Sequence, residues 1–283
     1  MSITLKGIGM PFNYEHSSCS DLIPKEFKWS PWYGDYNIYI DHGMKTRTPD
    51  LSIDKKKRFG WVCESKFVIQ DVYNWLVRNH EILFDKYFYK IFTCEQELLN
   101  LNSNFVYAYT GSNYPWIKES LWAVYPKTKL CSMFCSHKII TDEHVYRHKV
   151  ARYAMTKNID VYGGIVSTPQ SHLALWDTKI DGVRDYMFHI VVENGVSENY
   201  FTEKFTDSIA AGTVPVYRGS SKVLEIFDPN GIIVLEPGKE EEIINSLTPE
   251  LYNTKLQFVQ KNLEILRTLK SSDDYLFDCI KAL

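Results

Sequence analysis

Short apolar runs rich in β-branched and aromatic residues recur along the chain: YNIYID (36–41), FGWVCE (59–64), YKIFTC (89–94), FVYAY (105–109), KLCSMFCS (129–136), IDVYG (159–163), YMFHIVVE (186–193), TVPVY (213–217) and GIIVLE (231–236). Their length and their polar or turn-forming borders predict buried strands. Between them, VIQDVYNWLVRNHEIL (68–83) and DEHVYRHKVARYAM (142–155) space apolar residues three and four apart, and Thr141 precedes two acids as a helix cap would. From 240 onward the pattern is helical, EEIINSL then LYNTKLQFVQKNLEILRTL, ending in a short tail able to pack back on the first half. Strands alternating with helices predict an α/β chain with parallel sheets flanked by helices.

The stretch TGSNYPWIKESLWAVYPKTK (110–129) carries Gly, Pro and polar residues and separates two such alternating runs. A length of 283 residues favours two domains, expected at 1–125 and at 126–283, the second including the helical tail. Hydrophobic residues at 45% and charged residues at 24% are ordinary for a globular protein, and no apolar run approaches the roughly 20 residues a membrane span needs. The start MSITLKGIGMPF has no secretory pattern, so the expected location is cytoplasmic, in a host cell if the chain is viral. A net charge of −3 gives no bulk attraction to nucleic acid, which leaves Lys55-Lys56-Lys57-Arg58 as either a solvated loop or a local phosphate-tracking patch. Six cysteines are scattered; Cys131, Cys135 and His137 cluster, but one Cys-x-x-x-Cys pair is a poor zinc set and alternates like a strand, so no metal is expected.

The chemistry concentrates in YMFHIVVENGVSENYFTEKFTDSIAAGTVPVYRGS. A buried strand ends at Glu193-Asn194, a loop follows, a helix starts near Thr202, and Gly212 stops it before the next strand. In open α/β sheets, ligands sit at the carboxyl ends of strands, where a helix N-terminus offers N–H groups to a phosphate. Glu203 is placed to accept from ribose hydroxyls and Lys204 to neutralise a diphosphate; the same pair also suits a plain helix start with a solvated lysine.

The run E-N-x(5)-Y-x-T-E-K with A-G-T-V-P-V-x-x-G resembles the donor-binding signature of the α-1,3/4-fucosyltransferases, glycosyltransferase family 10. KLCSMFCSHK, Arg147 and IDVYGG extend the likeness upstream, so residues 127–236 are covered well and the first half faintly. The resemblance implies a GT-B architecture of two Rossmann-like domains with a cleft between them, and a metal-independent inverting transfer of fucose or a related sugar. The donor is a GDP- or UDP-linked sugar acting as co-substrate, with no further cofactor. Carried over residue by residue, Arg147 holds the diphosphate, Asn194 lies at the donor, Tyr200 near the nucleotide, Glu203 on the ribose and Lys204 beside ribose and phosphate. Thr202 belongs to the same set. Gly195 and Arg218 depart from the family pattern, and Arg218 is a candidate donor contact that bears on the choice of sugar.

Inversion needs a base for the acceptor proton. Glu64, ending FGWVCE, resembles the family's base in a Glu-Ser stretch, with Asp41 and His42 as a reserve pair. Trp29, Trp32 and Tyr33 lie in an unusually aromatic segment whose first reading is core packing, with stacking on an acceptor as the second. The expected acceptor is a glycan hydroxyl. The alternatives are a phage-type DNA glycosyltransferase acting on hydroxymethylated bases and a non-catalytic module that binds nucleotide-sugar or glycan.

Overall fold

The computed structural model describes residues 3–10, 13–18, 22–163 and 176–283. Two compact units form: Met1–Asn113, Ser197–Tyr200 and Lys270–Leu283 make the first, and Tyr114–Val196 with Phe201–Leu269 the second. Each is organised on one wholly parallel sheet, as the alternating pattern predicts.

The first sheet contains β1 (Ile3–Ile8), β2 (Phe27–Ser30), β3 (Tyr36–Ile40), β4 (Arg58–Trp61), β5 (Lys90–Thr93) and β6 (Phe105–Tyr107), in the order β2-β1-β3-β4-β5-β6. The apolar-run pattern does not predict β1 or β2. ITLKGI interleaves Lys6 and Gly7 with apolar residues, yet pairing on both sides by β2 and β3 buries Leu5 completely.

Alternation along the strands divides the side chains between two faces. Leu5, Trp29, Ile38, Ile40, Phe59 and Trp61 pack on one face with Leu276, Phe277 and Ile280 of the helix Ser272–Lys281. Each such side chain contributes about 1.5–3 kcal/mol on burial. Asp273, in the first turn of that helix, accepts from the backbone N–H of Ser18 and from Trp29 Nε1 at 2.7 Å, and burial pushes its carboxyl up to about 6. On the other face, Tyr39, Ile91 and Phe105 meet Val72 and Leu76 of the helix Gln70–Ile82.

The second sheet contains β7 (Lys129–Phe134), β8 (Asp160–Tyr162), β9 (Tyr186–Val192), β10 (Val214–Arg218) and β11 (Ile233–Val234), in the order β11-β10-β9-β7-β8. Its core runs from Met133, Phe188, Ile190 and Val216 to Val150 and Ala154 of the helix Asp142–Thr156 and Val259 of the helix Pro249–Thr268. The neighbours β7 and β9 send the chain in opposite directions, β7 toward β8 and β9 toward β10. The crevice at their carboxyl ends is therefore a topological switch point, the position where open parallel sheets bind ligands.

Candidate active site

In the second unit, the residues that follow β9 organise the switch point. Glu193 is fully buried and turns toward the helix Glu203–Ala210. Its Oε1 accepts from the N–H of Thr202 at 2.8 Å and its Oε2 from the Thr202 hydroxyl at 2.7 Å. Burial raises this carboxyl above its usual range, and the Lys204 ammonium 3.9 Å away acts against that rise. Thr202 is the N-cap of the helix, its Oγ1 accepting from the Lys204 N–H. The helix that the sequence places near Thr202 thus starts there because Glu193 and Thr202 together satisfy its first donors.

Asn194 points to the other helix of the site. Its Oδ1 accepts from Arg147 Nη2 at 3.0 Å, and its backbone oxygen accepts from the Thr141 hydroxyl at 2.7 Å. Buried Arg147 also donates through Nε and Nη2 to the carbonyl of Val192, at 3.0 and 2.6 Å. Arg147, Asn194 and Thr141 thereby fasten the helix Asp142–Thr156 to the end of β9.

Around these ties the charges are arranged in matched groups. The Lys204 ammonium donates to Thr202 Oγ1 at 3.2 Å and to Glu203 Oε1 at 3.3 Å. Glu203 is buried and has a second cation, Lys179, at 3.4 Å. Lys179 also donates to Asp207 at 2.8 Å and lies 4.1 Å from the centre of the Trp116 ring. Burial would lower the Lys179 ammonium, but Asp207 and Glu203 outweigh it and raise it instead. Arg218 makes two hydrogen bonds to Glu143, at 2.7 and 2.5 Å, with its guanidinium 4.9 Å from the Tyr146 ring centre. The charge of Arg218 is thus already matched in the first turn of the helix Asp142–Thr156.

In the first unit, carboxylates follow three consecutive strands: Asp41 after β3, Glu64 after β4 and Glu95 after β5. Asp41 has φ 45° and ψ −118°, a conformation that costs a non-glycine residue on the order of 1–3 kcal/mol. Its Oδ1 accepts from the N–H groups of Cys63 at 2.8 Å and Glu64 at 3.4 Å, which holds the loop that carries Glu64. Burial pushes the Asp41 carboxyl up to about 7; the Cys63 N–H works against the rise and the charge of Glu64 adds to it.

Glu64 Oε1 accepts from the N–H of Ser65 at 2.8 Å and from the hydroxyl of Tyr200 at 2.9 Å. Tyr200 is buried and belongs to the first unit, although the residues on either side of Ser197–Tyr200 belong to the second. Asn199, beside it, donates to the Cys94 carbonyl and to Gln96 Oε1, both at 3.1 Å. The reserve pair separates: Asp41 turns inward, while exposed His42 meets Asp71 at 3.2 Å.

Trp29 lies in the core, stacked on Trp61, so of the three candidate aromatics only Trp32, 81% exposed, and Tyr33, 69% exposed, present rings to solvent. In the basic run, Lys55 donates to the carbonyls of Phe84 and Asp85, and Arg58 is buried and donates to that of Lys86. Among the described residues, no group of three or more His, Cys, Asp or Glu side chains is placed to hold a metal ion, and Cys131 and Cys135 are buried within and just after β7. The sequence reading does not single out Glu193, Lys179, Glu143 or His144 as site residues. The Glu-Asn pair after an apolar strand is the signal available for Glu193; Lys179 and Glu143 take their places from contacts distant in sequence, and His144 from a ring closure on Thr141 that residue type does not announce.

Residues 124–239 match the family model described as glycosyltransferase family 10 (fucosyltransferase), C-terminal. The chain is 27% identical over 151 residues to an alpha-(1,3)-fucosyltransferase C of Drosophila melanogaster, 48% of this chain and 33% of that protein. It is 36% identical over 67 residues to a putative fucosyltransferase-like protein of Arabidopsis thaliana, 24% of this chain and 12% of the relative. The matches therefore span a third or less of those relatives' own length. A crystal structure of an α1,3-fucosyltransferase with GDP superposes with a TM-score of 0.55 at 13% identity, covering 96% of this chain and 92% of the other. A second α1,3-fucosyltransferase structure gives 0.53 at 15%, covering 99% and 88%. At these identities the likeness is one of fold, the GT-B class with two units each built on a parallel sheet.

Proposed function

From the match of residues 124–239 to the model of glycosyltransferase family 10, we propose that the chain is an inverting glycosyltransferase. It moves fucose or a related sugar from a nucleoside-diphosphate donor to an acceptor hydroxyl, most naturally of a glycan. The observation that carries this reading is the assembly of Arg147, Asn194, Glu203 and Lys204 at the switch point between β7 and β9.

Donor binding falls to the second unit. The diphosphate takes its positive charge from Lys204, Arg147 and the N-terminal turn of the helix Glu203–Ala210, with no metal ion required. Glu203, held between Lys179 and Lys204, faces the ribose hydroxyls. As the anomeric bond breaks, negative charge grows on the leaving oxygen, and cations already fixed in place stabilise it without reorganising. Glu64 takes the proton of the acceptor hydroxyl, kept in orientation by the Tyr200 hydroxyl and the Ser65 N–H. Trp32 and Tyr33 supply exposed ring faces for an acceptor sugar.

The experiment pairs a donor screen with one substitution. GDP, UDP and their sugars are tested by thermal shift, where a ligand at a hundred times its dissociation constant stabilises by about 2.7 kcal/mol. Glu64→Gln is then expected to keep the donor shift and to lower turnover by roughly a hundredfold or more. A protein that none of these nucleotides stabilises, or a Glu64→Gln variant that turns over normally, removes the reading.

A further inference from the structure

His144 occupies the third position of the helix Asp142–Thr156, and its residue is only 1% exposed. Its ring closes a capping box: the His144 N–H donates to Thr141 Oγ1 at 3.2 Å, and the Thr141 N–H donates to Nδ1 at 3.2 Å. The Thr141 Oγ1 also lies 2.8 Å from Nδ1, and because a backbone N–H can only donate, the capping box gives a neutral imidazole its proton on Nε2. That Nε2 is buried and has no hydrogen-bond partner among the described residues.

The surroundings define what partner it lacks. Burial, followed by the charges of Arg147, Lys204 and Lys138, lowers the ring to about 4, so it stays neutral at working pH. Asn194 acts in the opposite direction as a hydrogen-bonding neighbour of the ring, but its Oδ1 is already engaged by Arg147 at 3.0 Å and makes no hydrogen bond of normal geometry to Nε2. Glu143, one residue before His144, is taken up by Arg218. A buried N–H without an acceptor costs about 1–3 kcal/mol, and here it sits among three cationic side chains at the N-terminus of a 15-residue helix. An anionic oxygen satisfies all of these groups together.

We infer that His144 is a further ligand of the donor diphosphate, its Nε2–H donating to a phosphate oxygen at the switch point. The inference rests on the donor reading above and adds to it a residue that neither the signature nor the family likeness assigns. As a neutral donor, His144 supplies a directed hydrogen bond where Lys204 and Arg147 supply charge.

Two substitutions separate capping from ligand binding. His144→Asn leaves an acceptor near Nδ1 for the Thr141 N–H and removes the distal donor. His144→Gln leaves a donor near Nε2 and loses the capping acceptor. Pyrophosphate, GDP and UDP are titrated calorimetrically into the three folded proteins. His144→Asn is expected to weaken the ligands bound by the wild type by about tenfold or more, with the melting temperature held. His144→Gln is expected to melt lower and to bind within about threefold of the wild type. A histidine-selective ¹⁵N spectrum of the free protein should show the Nε2–H tautomer.

Wild-type affinity in His144→Asn, equal losses in both variants, or an Nδ1–H tautomer each overturns the assignment and leaves the donor reading standing. A wild-type protein that binds none of the three probes sinks the donor reading itself, and this inference with it.

Discussion

Asp41 is a buried carboxylate in a strained conformation, and replacing it with Asn makes its cost measurable. Asn tolerates positive φ about as well as Asp, and its Oδ1 can still accept from the Cys63 N–H, so Asp41→Asn removes little besides the charge. In the folded protein burial holds the carboxyl at about 7, against 3.8 for a free aspartate. The folded state therefore binds this proton more tightly than the unfolded state does. The associated stability is fully present below pH 4 and is lost as pH rises toward 7.

At about 1.36 kcal/mol per pH unit, that window amounts to on the order of 4 kcal/mol. Asn does not titrate. The variant should match the wild type near pH 4, exceed it by roughly 1.5 kcal/mol at pH 5, and lead by up to about 4 kcal/mol at pH 8. Hydrogen exchange of the β3 and β4 amides reads the opening free energy of the first unit, and comparison at equal pH cancels the intrinsic exchange rate. A gap of the same size at pH 5 and pH 8 would refute the titration, and with it the buried, charge-opposed environment assigned to Asp41.

Tyr200→Phe removes the hydroxyl that donates to Glu64 at 2.9 Å. Turnover should fall by up to about tenfold with GDP affinity within twofold, as steady-state kinetics and titration together would record; a selective loss of GDP affinity would instead place Tyr200 on the nucleotide. Gly212 has φ +63°, and an added Cβ would lie 2.6 Å from the Cα of Val124. Gly212→Ala should destabilise the second unit by more than about 2 kcal/mol, lowering its calorimetric melting temperature by roughly 4 °C or more.

Much of the architecture can be read from the sequence because parallel strands buried on both faces leave short apolar runs, and nine of these coincide with β3 to β11. Thr141 and Thr202 likewise mark helix starts by residue type alone, since capping is a local property. β1 escapes because its burial comes from strands on both sides rather than from its own composition. The site divides in the same way. Tyr-x-Thr-Glu-Lys is contiguous and legible, whereas Lys179 joins Glu203 only when β9 and its following helix have folded, and His144 looks like any polar residue of an amphipathic helix until its ring is seen closed over by Thr141. The function of Tyr200 as a partner of Glu64 depends on a pairing across 136 residues, which spacing cannot reveal.

The helix Ser272–Lys281 completes the first sheet from the far end of the sequence, and this sets a schedule for synthesis. Ser18 reaches its acceptor, Asp273, only after another 255 residues have been translated. At about 5–20 residues per second, the faces of Leu5, Phe27 and Trp29 wait roughly 13 to 50 s for Leu276, Phe277 and Ile280. The unit translated first is thus the one finished last. In a growing chain its apolar sheet face stays open to water until that helix arrives, while most of the second unit already has its sequence in hand.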